Sequence, residues 1–114
     1  MYYQETGFKN KNNYKEAFAC YDSIISIDKN FAAAHFNKAF IHLEFLQQYD
    51  SAIVHFSKAI EAFPKYHQAY YNRGLAYESL EKRKQAESDY RAALNIKPDY
   101  NDAALSLDRL LKGK

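Results

Sequence analysis

The sequence predicts an all-α fold of repeated helix pairs, and three observations support this prediction. Similar residues recur about every 34 positions, as in Ala17, Ala52 and Ala86, which are 35 and 34 residues apart. Apolar residues recur at three- and four-residue spacing, the period of an amphipathic helix. Only 3 Gly and 2 Pro occur among the 114 residues, which leaves little punctuation for a strand-rich fold. Repeats of this length indicate stacked supersecondary units that present a surface to a partner.

The first predicted helix pair is the least regular part of the chain. Its first helix is short and starts at Met1, so it is either truncated or part of something longer. Its second helix carries an apolar stripe that runs from Tyr14 to Ile25, and the polar segment Asp28–Asn30 interrupts this stripe. We therefore expect the second helix to end just before that segment.

The second pair is predicted from apolar stripes that run over Ala34–Phe45 and Tyr49–Ile60, with a polar turn between the two helices. It ends at Phe63 because proline, here Pro64, disfavours helix for the residue before it. This repeat contains one residue more than the next one. We expect the extra residue in the turn Leu46–Gln48, where an insertion costs little.

The third pair is predicted to span Gln68–Leu80 and Lys84–Asn95 and to end before Pro98. A last helix follows over about Asn101–Leu111, and its apolar residues are predicted to face inward. These residues are Ala103, Ala104, Leu107, Leu110 and Leu111. The chain is thus predicted to be a single domain of seven helices. Its parts are repeat one at about 1–31, repeat two at about 32–66, repeat three at about 67–100 and a capping helix at about 101–112.

Small residues are predicted where paired helices approach most closely. They are Ala39 and Gly74 on the first helices and Ala17, Ala52 and Ala86 on the second helices. We expect them to leave room for the bulky Tyr21, Phe56 and Tyr90, which repeat at the same spacing, to fill the adjoining gaps.

Composition limits the classes of function and the compartment. The net charge is +2, from 16 basic and 14 acidic residues, so no electrostatic argument favours a nucleic-acid or membrane partner. The single cysteine, Cys20, rules out an intramolecular disulfide and suits a reducing compartment. No apolar run is long enough to cross a bilayer, and Met1–Glu5 has no signal-peptide character. We expect a cytoplasmic protein.

The sequence offers no constellation for catalysis or metal binding. His35 and His42 lie seven residues apart on one predicted helix, which is too far for chelation without other ligands. There is no HExxH motif or Cys/His cluster, and the serines lie in helical patterns rather than on an elbow. We expect no enzymatic activity, no cofactor and no metal. The two histidines do make pH sensitivity of the second repeat a hypothesis, since histidine titrates at about pH 6.5.

Residues 69–77 and several later positions give the chain a resemblance to the tetratricopeptide repeat family. The segment reads Ala-Tyr-Tyr-Asn-Arg-Gly-Leu-Ala-Tyr, and further signature residues follow at Ala86, Tyr90, Ala93 and Pro98. The second repeat keeps the pattern but departs from it at His35, Ala39 and His42. In the first repeat Lys29 replaces the signature proline. The last helix looks like the family's solvating cap.

The resemblance implies a right-handed superhelix whose concave groove is lined by the first helix of each pair. In repeats two and three the implied peptide-binding residues are Phe36, Asn37, Phe40, Glu44, Gln68, Tyr71, Asn72, Leu75 and Glu78. Repeat one would add Tyr2, Thr6 and Lys9, and the cap would add Leu105, Ser106 and Arg109. Helical spacing independently places Phe36 and Phe40 on one face.

The implied function is that of a protein-interaction module or adaptor that binds a peptide segment in this groove. Chaperone-binding members clamp a C-terminal carboxylate with Lys and Arg, whereas the matching positions here hold Tyr2, Thr6, Gln68 and Asn72. The apolar middle of the groove favours a partner with apolar or aromatic residues. Two alternatives stay open: a self-assembling scaffold that forms a homo-oligomer through its N-terminal edge and, less favoured, an RNA-binding helical repeat.

Overall fold

The computed structural model describes the backbone of residues 11–113 and the side chains of residues 14–113. This part of the chain forms six α-helices and no strand, which confirms the predicted all-α class. They are α1 (Lys11–Ile27), α2 (Ala32–Glu44), α3 (Tyr49–Ala62), α4 (His67–Ser79), α5 (Arg83–Ile96) and α6 (Asn101–Lys112). The first of the seven predicted helices falls within residues 1–10, outside the described part.

Consecutive helices pack against each other because the connections between them are short. Each connection contains three or four residues, which leaves room only for a reversal of the chain. Every described helix contacts the next one, and α2 also contacts α4. We call α2–α3 the second unit and α4–α5 the third unit.

The turn inside the second unit holds the extra residue that the repeat spacing predicts. Residues 45–48 separate α2 from α3, whereas residues 80–82 separate α4 from α5, and the first helices of both units have 13 residues. Both turns place one residue in the left-handed region, Gln47 with φ 50° and Glu81 with φ 60°. The insertion therefore lengthens the turn and leaves the register of the helices unchanged.

The core consists of small residues at the helix crossings and large aromatic residues between them. Phe56 and Tyr90 are the largest side chains with no exposed surface, as the repeat spacing predicts, whereas Ala17 and Tyr21 of the first pair are only partly buried. The alanines beside them are fully buried too: Ala39, Ala52, Ala59, Ala69, Ala76, Ala86 and Ala93. At Gly74 the approach is so close that an added Cβ would lie 2.7 Å from Cε1 of Tyr90. Glycine is therefore required there by packing.

The last helix corrects one prediction, because Ala104 and Leu111 are exposed rather than directed inward. Ala103 and Leu110 are buried, and Leu107 is partly buried, as predicted. The repeat spacing aligns these two residues with Tyr70 and Tyr77 of α4, and Tyr77 packs on the cluster that Ala86 and Tyr90 of α5 form with Leu110. Within residues 14–113 no helix follows α6 to cover that face.

Candidate functional site: a groove along the first helices

The first helices of the units, together with α6, line one shared groove. A crevice of about 500 Å³ opens where α2 and α4 end, and its walls include residues of α2, α4 and α6. Since α2 also contacts α4 directly, the three helices present neighbouring faces to the same space. We call this surface the groove and the space at the helix ends the crevice.

Two groove residues predicted on α2, Phe36 and Phe40, are stacked, with their ring centroids 6.3 Å apart. Phe36 also stacks on Tyr66 at 4.9 Å and meets the edge of the buried Phe56 at 5.4 Å. Phe36 is therefore anchored in the core by part of its surface. Such offset and edge contacts are the favoured arrangements of aromatic rings.

Phe40 is 36% exposed and extends the aromatic surface toward the end of α2. Its ring meets the edge of Phe45 at 6.4 Å, and Phe45 stacks on Tyr14 of α1 at 5.7 Å. Aromatic contacts thus continue without a break from Tyr66 through Phe36, Phe40 and Phe45 to Tyr14. We call these five residues the aromatic row.

On α4 the predicted residues Tyr71 and Leu75 are partly buried. Tyr71 meets the edge of Tyr100 at 5.4 Å and lies 5.9 Å from the ring of Tyr90. Burial raises the pKa of Tyr100 to about 12, so its hydroxyl is neutral at physiological pH. Tyr71 is therefore flanked by two uncharged aromatic rings, those of Tyr90 and Tyr100.

The two asparagines predicted to bind a peptide backbone occupy different environments. Asn37 is exposed on α2. Asn72 is only 8% exposed, and its Nδ2 donates a hydrogen bond of 2.9 Å to the backbone carbonyl of Gln68, one turn earlier on α4. Gln68 itself is exposed. Asn37 and Gln68 are thus more accessible to a ligand than Asn72.

The two predicted glutamates also differ. Glu44 is exposed at the end of α2. Glu78 accepts a hydrogen bond of 2.7 Å from the Tyr90 hydroxyl and is held by two nitrogens of Arg109, at 2.9 and 3.1 Å. This network joins α4, α5 and α6, and it uses the Arg109 side chain that the resemblance implied for the cap.

The crevice brings four of the predicted residues together, namely Glu44, Leu75 and Glu78 and, from α6, Arg109. Its other walls were not predicted; they are Leu43, Gln47, Tyr49 and Ser79. One signal was available in the sequence, because the 35-residue spacing aligns Glu78 with Leu43 rather than with Glu44.

The remaining predicted groove positions lie either outside the described residues or on α6. Tyr2, Thr6 and Lys9 lie outside the described residues. On α6, Leu105 is exposed, whereas Ser106 is buried.

The histidines of the second unit make hydrogen bonds and ring contacts with neighbouring residues. His35 Nε2 contacts the Lys29 carbonyl at 2.9 Å, and His42 Nδ1 contacts Gln48 Oε1 at 2.8 Å. The ring of His42 stacks on that of His55 at 5.4 Å. In the part of the chain that the structure describes, no three His, Cys, Asp or Glu side chains converge on a metal-sized site. Nor does any described helix have the length and apolar character needed to span a bilayer.

Two family models match the chain. The model described as tetratricopeptide repeat matches residues 67–100, and the one described as TPR repeat matches residues 46–81. The chain belongs to the tetratricopeptide repeat family. The match covers the third unit and the turn and second helix of the second unit, which is also where the signature residues are most complete.

Solved tetratricopeptide repeat domains share this fold. The Arabidopsis OM64 TPR domain has a TM-score of 0.83 and 29% identity, covering 96% of this chain and 89% of that one. The second TPR domain of human RPAP3, solved in complex with the HSP70 peptide SGPTIEEVD, has a TM-score of 0.80 and 28% identity. That alignment covers 94% of this chain and 88% of the RPAP3 domain.

The curated proteins to which this chain is similar are much longer than the chain. The mouse mitochondrial import receptor subunit TOM70 is 32% identical over 117 residues, covering 91% of this chain. Serine/threonine-protein phosphatase T of Aspergillus oryzae is 33% identical over 94 residues, or 82% of the chain, and rat sperm-associated antigen 1 is 30% identical over 96 residues, or 84%. The chain spans only 19%, 18% and 11% of these relatives' lengths, respectively.

Proposed function

We propose that this chain is a protein-interaction module that binds a peptide segment in the groove. The observation that carries the proposal is the aromatic row, which keeps Phe40 exposed on α2 and Phe45 exposed just beyond the end of that helix. Apolar side chains held at a surface by core packing are a ready docking site, because binding removes their area from water without ordering a flexible segment. A non-enzymatic role is part of this proposal.

A relative supports the mode of binding but differs in the chemistry of the peptide. The second RPAP3 domain is solved with the peptide SGPTIEEVD, which ends in three acidic residues around a single valine. In this chain the uncharged Gln68 and Asn72 stand where a carboxylate clamp would need cations, and Asn72 is buried. We therefore propose a partner with apolar or aromatic residues rather than an acidic tail.

The finer parts of the assignment rest on the sequence. We propose one domain with repeats at about 1–31, 32–66 and 67–100 and a capping helix at about 101–112. A role as an adaptor or scaffold and a cytoplasmic location are proposals of the same kind. Similarity to TOM70 and OM64 supports a location at mitochondria as strongly as a cytoplasmic one. Neither self-assembly nor RNA binding gains support from the comparisons.

The groove can be tested with an exposed residue whose loss should leave the fold intact. Peptides selected from a random display library on the wild-type chain are measured against Phe40→Ala, and binding is expected to fall about tenfold, the loss typical of an aromatic anchor. The matched control is Val54→Ala, which removes an exposed apolar side chain from α3, outside the groove. The far-UV circular dichroism of both variants should match wild type.

Two outcomes would contradict the proposal. One is selection of no peptide by the folded wild-type chain. The other is equal loss of binding in the Phe40 and Val54 variants, which would place the peptide elsewhere. Asn37→Ala, at a second exposed position on the same face of α2, provides an independent check.

A further inference from the structure

The crevice at the ends of α2 and α4 has a chemistry different from the rest of the groove. Glu44, Glu78 and Arg109 bring charges into it, and Leu43, Tyr49 and Leu75 form apolar walls. The aromatic row, whose members Phe36 and Phe40 lie on α2, offers only uncharged rings. One end of the groove is therefore suited to a different side chain from the middle.

The charges in the crevice do not cancel. Arg109 directs two guanidinium nitrogens at Glu78, so these two residues neutralise each other. Among the described residues, Glu44 makes no ion pair and is exposed to the crevice. The described lining thus carries one net negative charge.

The helix ends add to this negative charge. Both α2 and α4 end at the crevice, at Glu44 and Ser79, and the C-terminal end of a helix carries a partial negative charge of about half an elementary charge. The side-chain amide of Gln47 donates to the Glu44 carbonyl, at 3.1 Å, so its own carbonyl oxygen is an additional acceptor at this end. A cation entering the crevice would find a concentration of acceptors.

The apolar walls indicate which kind of cation fits. Leu43 is 6% exposed and forms a firm base, and Leu75 and Tyr49 are partly buried against the same core. Lysine and arginine bury the methylene stem of the side chain on apolar surface and keep the charged head near acceptors. The Tyr49 ring adds a face on which a cation is favoured.

We propose that the crevice receives a lysine or arginine side chain of the bound peptide, next to the apolar residues that contact the aromatic row. The inference rests on the proposed peptide-binding function and narrows its partner to a segment that is both apolar and basic. An acidic side chain at this place would face Glu44 and the two helix ends without compensation.

Peptide selection on charge variants tests this inference. A random display library is selected in parallel on wild type, Glu44→Gln and Glu44→Lys, with Glu61→Lys as the matched control. Glu61 is exposed on α3 and lines a different crevice, beside α1. Wild type and the Glu61 variant should enrich Lys and Arg beside apolar residues. Glu44→Gln should lose the basic preference, and Glu44→Lys should enrich Asp and Glu instead.

A double-mutant cycle then measures the contact. Replacing the basic residue of a selected peptide by norleucine should weaken binding to wild type about threefold to fivefold, as expected for a partly exposed ion pair. The same replacement should change binding to Glu44→Gln by less than twofold, and raising the salt concentration should shrink the wild-type effect.

The outcomes distinguish failure of the basic site in the crevice from failure of peptide binding as a whole. Peptides enriched without a basic residue, or an equal norleucine effect on wild type and Glu44→Gln, would overturn the inference and leave peptide binding standing. Failure to enrich any peptide on the folded chain would overturn both.

Discussion

The second and third units share one backbone plan but pair a partly buried cation in different ways. In the third unit Arg73 pairs with Asp89 on the partner helix of its own unit, through contacts of 2.9 and 2.8 Å. In the second unit the equivalent pair of positions holds Lys38 and His55, which are both basic. The third unit therefore closes its charge pair internally and the second does not.

The second unit instead sends its cation to the preceding helix. Lys38 Nζ lies 2.7 Å from a carboxylate oxygen of Asp22 on α1, and Asp22 is 59% exposed. Asp22 is the repeat equivalent of Ser57, which accepts a bond of 3.0 Å from Arg73. At this position of the repeat, either neighbouring helix can therefore supply the acceptor for the cation.

The rings around the two cations follow the same division. The guanidinium of Arg73 lies 5.6 Å from the ring of Tyr70 and 5.9 Å from that of Tyr77, contacts that favour a cation. Hydrogen bonding to Asp89 raises the pKa of Arg73 further. The equivalents of the two tyrosines in the second unit are His35 and His42, and the ring beside Lys38 Nζ is that of Phe18 on α1, at 5.9 Å.

The largest expected effect is the loss of Arg73. Arg73→Met should lower the free energy of unfolding by about 3 kcal/mol, because it leaves Asp89, only 4% exposed, without a partner. Lys38→Met should cost less than about 1 kcal/mol, because Asp22 returns to water. Urea unfolding followed by circular dichroism measures both values.

A rescue variant shows whether the buried carboxylate is the cause. Burial raises the pKa of Asp89, and the hydrogen bonds from Arg73 oppose that rise. Adding Asp89→Asn to Arg73→Met removes the buried charge and should restore part of the lost stability. Equal costs at Arg73 and Lys38 would contradict the difference drawn between the units.

The next effect concerns the helix crossing at Gly74, whose equivalent in the second unit is Ala39. Gly74→Ala should destabilise the chain by about 1–2 kcal/mol, because its Cβ would strike the ring of the fully buried Tyr90. This net value already includes the gain in helix propensity from alanine, about 1 kcal/mol, which offsets only part of the cost of the clash. A denaturation midpoint at or above that of wild type would show that Tyr90 moves freely.

The reciprocal change sharpens this test. Ala39→Gly should cost about 1 kcal/mol from helix propensity, with a further contribution from the small cavity beside the buried Phe56. Each substitution imports the residue of the other unit, so destabilisation by both would show that the two crossings are packed differently.

The third effect is the dependence of stability on pH. Burial, and then the charge of Lys38, lowers the pKa of His55 from 6.5 to about 4. Because the unfolded chain binds the proton more tightly, stability should be complete above pH 6.5 and fall as the pH drops toward about 4. Since His55 is partly exposed, we expect a loss on the order of 1–2 kcal/mol over this window.

His55→Asn isolates this contribution. The variant should lose less stability than wild type between pH 6.5 and about 4, measured by thermal melts. Burial lowers the pKa of His67 as well, so His67→Asn is the matched control and should flatten the profile less. Identical profiles for wild type and His55→Asn would remove His55 as the source of pH sensitivity.

Much of the fold could be predicted because the repeat is recorded in residue types. The stop before Pro64, the extra residue in the turn between α2 and α3 and the buried Phe56 and Tyr90 all follow from local rules or fixed spacing. The exposed face of α6 could not be predicted from its period. That face depends on whether another helix packs on it, which a helical stripe does not record.

The groove could be predicted only in part, because spacing fixes a residue's face but not its bonds. Phe36 and Phe40 lie together as their four-residue separation predicts. Asn72 shares the position of Asn37, yet it bonds to its own helix and is buried. Arg109 and Glu78 are 31 residues apart, and only the stacking of α6 beside α4 brings them together.

The smallest expected effect concerns two residue pairs that change together between the units. Tyr90 bonds to Glu78 in the third unit, and their equivalents in the second unit are Phe56 and Leu43, both buried. Tyr90→Phe should cost about 1 kcal/mol, the net value of one hydrogen bond, since Glu78 keeps Arg109. The double variant Tyr90→Phe/Glu78→Leu imports the apolar pair and should recover most of that loss in urea unfolding. If the double variant is less stable than the sum of its single changes, the two units do not share an interchangeable contact here.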